Sequence, residues 1–190
     1  MKKEILTHCL YLLLMSVIVI LVKRYFLPFN IQSALNIGLF LLGGLIGTVL
    51  PDIDHVIYIY LLHPQELTSQ RINYVLANQT QPVKQRVWHV FELMAATRQE
   101  RKGLIFHTAY FQIIFWVLAF LVVSSSGSIL GRGLVLAFSL HLIVDQFLDL
   151  MKLENLDNWF RQLNIQLEKE KYLFFWLGNV SILLLFSFVL

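Results

Sequence analysis

Long apolar runs alternating with two polar stretches organise this chain. Windows of about 20 apolar residues, the length that crosses a bilayer as a helix, fall at residues 6–26, 33–50, 104–123, 129–150 and 172–190. In the polar stretch 51–103, Val83, Val87, Val90, Phe91 and Met94 recur at helical spacing opposite Lys84, Arg86 and His89. In 151–171, Leu153, Leu156, Phe160, Leu163 and Leu167 do the same. Neither stretch is apolar enough to span, so both predict amphipathic helices that lie in the membrane interface or cover the bundle. The pattern predicts an all-α fold: one integral-membrane domain over 1–190, with five transmembrane helices and two interfacial ones.

Composition agrees with the pattern. Hydrophobic residues make up 57% of the chain and charged residues 14%, against about 25% charged in an average soluble domain. Mean hydropathy is +0.67. The start, MKKEILTHCLYLLLMSVIVILVKRYF, has a basic and an apolar region but no small-residue cleavage site, which predicts a retained span. The single cysteine, Cys9, excludes an intrachain disulfide and a cysteine-built zinc site, and its apolar setting suits a packing role.

Charge placement orients the expected spans. With five of them, the amino terminus, 51–103 and 151–171 share one side, which then carries twelve of the fifteen lysines and arginines. The positive-inside bias makes that side cytoplasmic, with the carboxy terminus outside. The basic group Arg98, Arg101 and Lys102 suits contact with lipid phosphates rather than nucleic acid.

On this topology four segments bring His or Asp to the cytoplasmic half of the bundle. His8 begins the first span, Asp52, Asp54 and His55 follow the second, His107 begins the third, and His141 and Asp145 lie within the fourth. His141 and Asp145 are four apart and share a helix face. Pro51 is expected to stop or kink the second span, letting Asp52 and Asp54 turn inward. Ionisable residues at such depth mark functional sites, and imidazole with carboxylate suits zinc, as one or two ions. Each residue also has a plainer role: His8 and His107 as interfacial histidines, LPDIDH as a helix stop with an Asp cap, His141 and Asp145 as a hydrogen-bonded pair. Asp149 follows on the same face, nearer water, while His63 and His89 belong to the polar stretch. Gly43 and Gly47 form a GxxxG pair, which predicts close helix packing. No HExxH, GxSxG, Walker A loop or CxxC occurs.

THCLYL, LPDIDH, RKGLIFHT and FSLHLIVDQFLD together resemble the bacterial inner-membrane metal-dependent hydrolases of the YdjM type, over roughly residues 5–150. That family's pattern is an early histidine, PDIDH, HRGxTHS and HxxxD, in that order. The third motif departs here. Arg101 and Lys102 stand where its first histidine belongs, and the interval from Gly103 to His107 is one residue longer. The family is distantly similar to zinc-dependent phospholipases C and P1-type nucleases. The resemblance implies His8, Asp52, His55, His107, His141 and Asp145 as metal ligands. Asp54 is left as general base or support for a ligand, and Arg101 with Lys102 as the hold on a substrate phosphate. The function this predicts is hydrolysis of a lipid or lipid-linked phosphoester at the cytoplasmic leaflet. The alternatives are a non-catalytic membrane scaffold with a structural metal or none, and an ion-coupled transporter. The transporter lacks support from paired broken helices.

Overall fold

The computed structural model describes residues 10, 13, 17, 31–77, 80, 82–125, 127–163 and 167–189. Apart from three isolated positions, the expected first span lies outside the described residues, as does His8. Every regular element among the described residues is helical. Helix α1 (Ile31–Val49) runs on through a 3₁₀ turn (Leu50–Asp52), α2 (Ile53–Ile57) and a π-helical turn (Tyr58–Leu62). The proline therefore does not stop the span as expected. Pro51 sits in the first turn of the short 3₁₀ element, where a residue without an N–H is tolerated. The apolar helix continues from Ala34 to Leu62, 29 residues.

The polar stretch folds into α3 (Leu67–Ala77) and α4 (Val83–Ala96). Ile72 and Val90, one from each, close over Ile59 of the π turn in a small apolar cluster. Of the remaining positions on the expected α4 face, Met94 packs against that cluster and Val83, Val87 and Phe91 are exposed. A 3₁₀ turn (Arg98–Glu100) and an irregular loop over 101–108 lead to α5 (Ala109–Ser125). The third apolar segment thus starts its helix later than expected. Thr108 sets the start, its hydroxyl accepting the Phe111 N–H at 3.2 Å.

Helix α6 (Ile129–Leu153) is the axis of the molecule, packed against α1, α5 and α8 (Lys169–Val189). Ser128 caps its start by accepting the Gly131 N–H at 3.0 Å, and Glu154, at φ 58°, ends it. That left-handed residue also breaks up the second expected amphipathic helix. In its place stand α7 (Asp157–Phe160) and a 3₁₀ turn (Arg161–Leu163). Leu156, Trp159 and Phe160 are buried in the main core, so this segment covers the bundle.

Among the described residues three helices are long and apolar enough to cross a membrane: Ala34–Leu62, Ile129–Leu153 and Lys169–Val189; α5 is a shorter apolar helix. Outward-facing Ile113, Val117 and Leu121 on α5, and Phe174, Leu185 and Phe188 on α8, are apolar side chains left uncovered, an arrangement that suits lipid rather than water.

The α1–α6 contact is backbone against backbone. A methyl on Gly43 would stand 2.0 Å from the Leu130 carbonyl oxygen, one on Gly47 2.2 Å from that of Leu134, and one on Gly133 2.2 Å from that of Phe40. The expected GxxxG packing is present, answered by a glycine on the partner helix. A second polar junction lies between α5, α6 and α8. Trp116 Nε1 donates to Asn179 Oδ1 at 2.8 Å, and Asn179 Nδ2 reaches Gln112 Oε1 at 3.2 Å and Gln146 Oε1 at 3.3 Å. Gln146 Nε2 donates to Gln112 Oε1.

Candidate metal centre

Asp145, near the middle of the second half of α6, is 1% exposed. Its Oδ2 faces Nε2 of His107 at 3.1 Å and Nε2 of His141 at 3.3 Å. One ligand atom from each of these three residues lies within 4.8 Å of the others. Two imidazole nitrogens and a carboxylate oxygen, all buried and converging, form a donor set that can hold a divalent ion.

The other ring nitrogen of each histidine is fixed. His141 Nδ1 donates to the backbone carbonyl of Thr48 at 2.7 Å. A carbonyl only accepts, so Nδ1 carries the hydrogen, and a neutral His141 presents a lone pair at Nε2. That lone pair faces Oδ2 of Asp145 at 3.3 Å, so a cation between them would be held by both. His107 Nδ1 faces Asp54 Oδ2 at 3.2 Å. Holding each histidine by the nitrogen remote from the metal, on a carbonyl or a carboxylate, is how metal sites orient their ligands. Burial draws the His107 pKa down, but hydrogen bonds to Asp145 and Asp54 outweigh it and lift the group to about 9. Without an ion the ring donates to both carboxylates. An ion on Nε2 would take the place of one of those protons.

Asp54 is fully buried and organises the loop. Its carboxylate accepts the N–H groups of Ile105 at 2.9 Å, Phe106 at 2.6 Å and His107 at 3.3 Å. Gly103, at φ 103°, makes the turn that brings this backbone round, a conformation that L side chains resist. Of the two roles expected for Asp54, general base or support for a ligand, the geometry matches the second: its oxygens are taken up in setting the loop and His107.

His55 stacks on His107 with ring centroids 5.2 Å apart but is not among the three converging donors. Arg101 Nε donates to His55 Nδ1 at 3.1 Å, which leaves the ring hydrogen on Nε2. In this tautomer neither nitrogen offers a metal a lone pair. Arg101 itself is 3% exposed and also donates to Thr97 Oγ1 and the Met94 carbonyl. Burial and the adjacent Arg98 charge draw it down to about 10, still protonated at neutral pH. Expected on a substrate phosphate, it instead holds His55 against the loop. Lys102 is exposed. Asp52 points outward, its side chain 60% exposed, yet its Oδ1 lies 3.6 Å from His141 Nε2, so it stands beside the three buried donors. Asp149 accepts from Trp159 Nε1 at 2.9 Å, and Trp159 packs edge-on against His107.

Arg98 was absent from the expected site. Its guanidinium grips Asp145 with two hydrogen bonds, Nη1 to Oδ1 at 3.0 Å and Nη2 to Oδ2 at 2.8 Å. The contact joins residues 47 apart in sequence. The sequence hint was the arginine pair Arg98 and Arg101 just beyond α4, which fits lipid contact equally well. No family model, curated protein or solved structure matches this chain.

Proposed function

We propose that this chain is a membrane-embedded, metal-dependent hydrolase of a lipid or lipid-linked phosphoester, a member of the YdjM-type family that its motifs resemble. The observation that carries the reading is the paired histidine geometry. Nε2 of His107 and of His141 meet one carboxylate oxygen while Asp54 and the Thr48 carbonyl hold the opposite nitrogens. Zinc is the ion best suited to two imidazoles and a carboxylate, and when bound it would acidify water and stabilise charge developing on phosphorus. The protein's own part is to hold that geometry. Asp54 fixes the loop and His107, α1 fixes His141, and Asp52 stands at the exposed side to complete the donor set. His55, with its hydrogen on Nε2, can donate to a substrate or leaving-group oxygen. The expected orientation, with the amino terminus and this site toward the cytoplasm, places it at the inner leaflet.

A second reading has a specific observation behind it. The two-pronged Arg98–Asp145 pair neutralises the buried carboxylate without any ion, as a scaffold that keeps the fold but not the chemistry would do. Two measurements separate the readings. Metal analysis of the purified chain should find zinc or a related ion near one or two equivalents, lost in His141→Ala. The metal-loaded chain should turn over a chromogenic phospholipid analogue, and Asp145→Asn should not. Bound metal without turnover favours the scaffold, and neither metal nor turnover removes the hydrolase.

A further inference from the structure

Three nitrogens crowd Asp145 Oδ2: Arg98 Nη2 at 2.8 Å, His107 Nε2 at 3.1 Å and His141 Nε2 at 3.3 Å. An ion held by the two imidazoles and this oxygen has to share the oxygen with a guanidinium, a double positive charge against a single one at contact distance. Arg98 is better placed than Arg101 to change partner. It comes from the 3₁₀ turn at the end of the polar stretch and its side chain is 20% exposed, whereas Arg101 is buried and bound to three acceptors. Asp52, exposed beside His141, flanks the same donors.

We propose that Arg98 is the anion-binding arm of this site. Without an ion it stands in for the metal on Asp145. With an ion bound it gives up Oδ2 and turns its planar fork to the phosphoryl oxygens of a phosphate or phosphomonoester. A guanidinium matches carboxylate and phosphate with the same paired geometry, so the exchange replaces the two hydrogen bonds to Asp145 with two to phosphate. The inference rests on the metal reading above and adds a ligand and a residue to it.

The test is cobalt or zinc titration of the full purified chain in detergent, with and without inorganic phosphate. It is repeated in phosphatidylcholine nanodiscs with and without phosphatidic acid. In the wild type, phosphate or phosphatidic acid should tighten metal binding several-fold. Arg98→Gln should bind the ion about tenfold tighter or more without phosphate, because the competing charge is gone, and should lose the response to either anion. A response to inorganic phosphate identifies a free anion as sufficient ligand, and a response only to phosphatidic acid identifies the lipid headgroup. Arg98→Lys keeps the charge and loses the fork, so it should retain the weaker metal affinity while blunting the anion response. It carries the test if Arg98→Gln does not fold. Weaker metal binding in Arg98→Gln, or an anion response that survives it, overturns the proposal. Failure of the wild type to bind any ion would remove the metal reading and this proposal together.

Discussion

Two buried polar clusters hang on successive residues of α6, and they solve the same problem differently. Gln146 meets Gln112 of α5 and Asn179 of α8, and Trp116 joins them through Asn179, a set of neutral donors and acceptors from three apolar helices. Asp145 meets His107 and His141, with Asp54 behind His107, and draws Arg98 in from the polar stretch beyond the bundle. Amides can satisfy one another where they stand. A buried carboxylate needs a countercharge. Nothing in the amide cluster depends on a cation, whereas the ionic cluster holds a guanidinium and could hold a metal ion.

The sharpest way to break this contrast is Asp145→Asn. Removing one member of a buried charge pair costs about 3–5 kcal/mol, mostly from stranding the partner, and here the partner is Arg98. A large fall in thermal stability in detergent, together with loss of metal binding, is expected. Retained metal would refute the ligand assignment. Gly47→Ala should come next. A methyl 2.2 Å from the Leu134 carbonyl oxygen forces α1 and α6 apart, and overpacking of this kind costs about 1–3 kcal/mol. Because His141 is held by an α1 carbonyl, metal affinity should fall as well, which calorimetric titration would report.

Asp54→Asn tests positioning. The amide keeps one carbonyl acceptor for the loop but not the charge facing His107, so metal affinity should drop about 10- to 100-fold while the chain stays folded. An unchanged affinity with turnover abolished would return Asp54 to the role of base. Gln112→Leu should have the smallest effect on the site. It strands polar atoms of Gln146 and Asn179 and costs about 1–3 kcal/mol of stability, with metal affinity unchanged. Altered metal binding in this variant would show that the two clusters are coupled and that the distinction drawn between them fails.

The sequence carried much of this, and the gaps have physical causes. The four-residue spacing of His141 and Asp145, the reach of His107 and the glycine pair on α1 are local patterns whose consequences do not depend on the rest of the chain. The outcome at Pro51 depended on whether a 3₁₀ turn could absorb a missing N–H, which only the surrounding packing decides. Asp52 and Asp54, two residues apart, are both expected from the sequence to turn inward. A short tight turn sends one to the surface and the other under the 101–108 loop. Arg98 was missed because a contact spanning 47 residues leaves no periodicity. The second amphipathic pattern was real as burial but not as a helix, since Glu154 adopts a left-handed conformation that no hydropathy pattern encodes.

The anchor of His141 has one more consequence. The group that orients this histidine is the Thr48 carbonyl, while the Thr48 hydroxyl bonds back to Gly44 in its own helix. Every amino acid supplies that carbonyl. A substitution scan along α1 would therefore pass over the anchor in silence at Thr48 and register it, at a distance, at the glycines that set how close the two backbones come. A residue's importance and its sensitivity to replacement part company here, because the working part is one that mutation cannot remove.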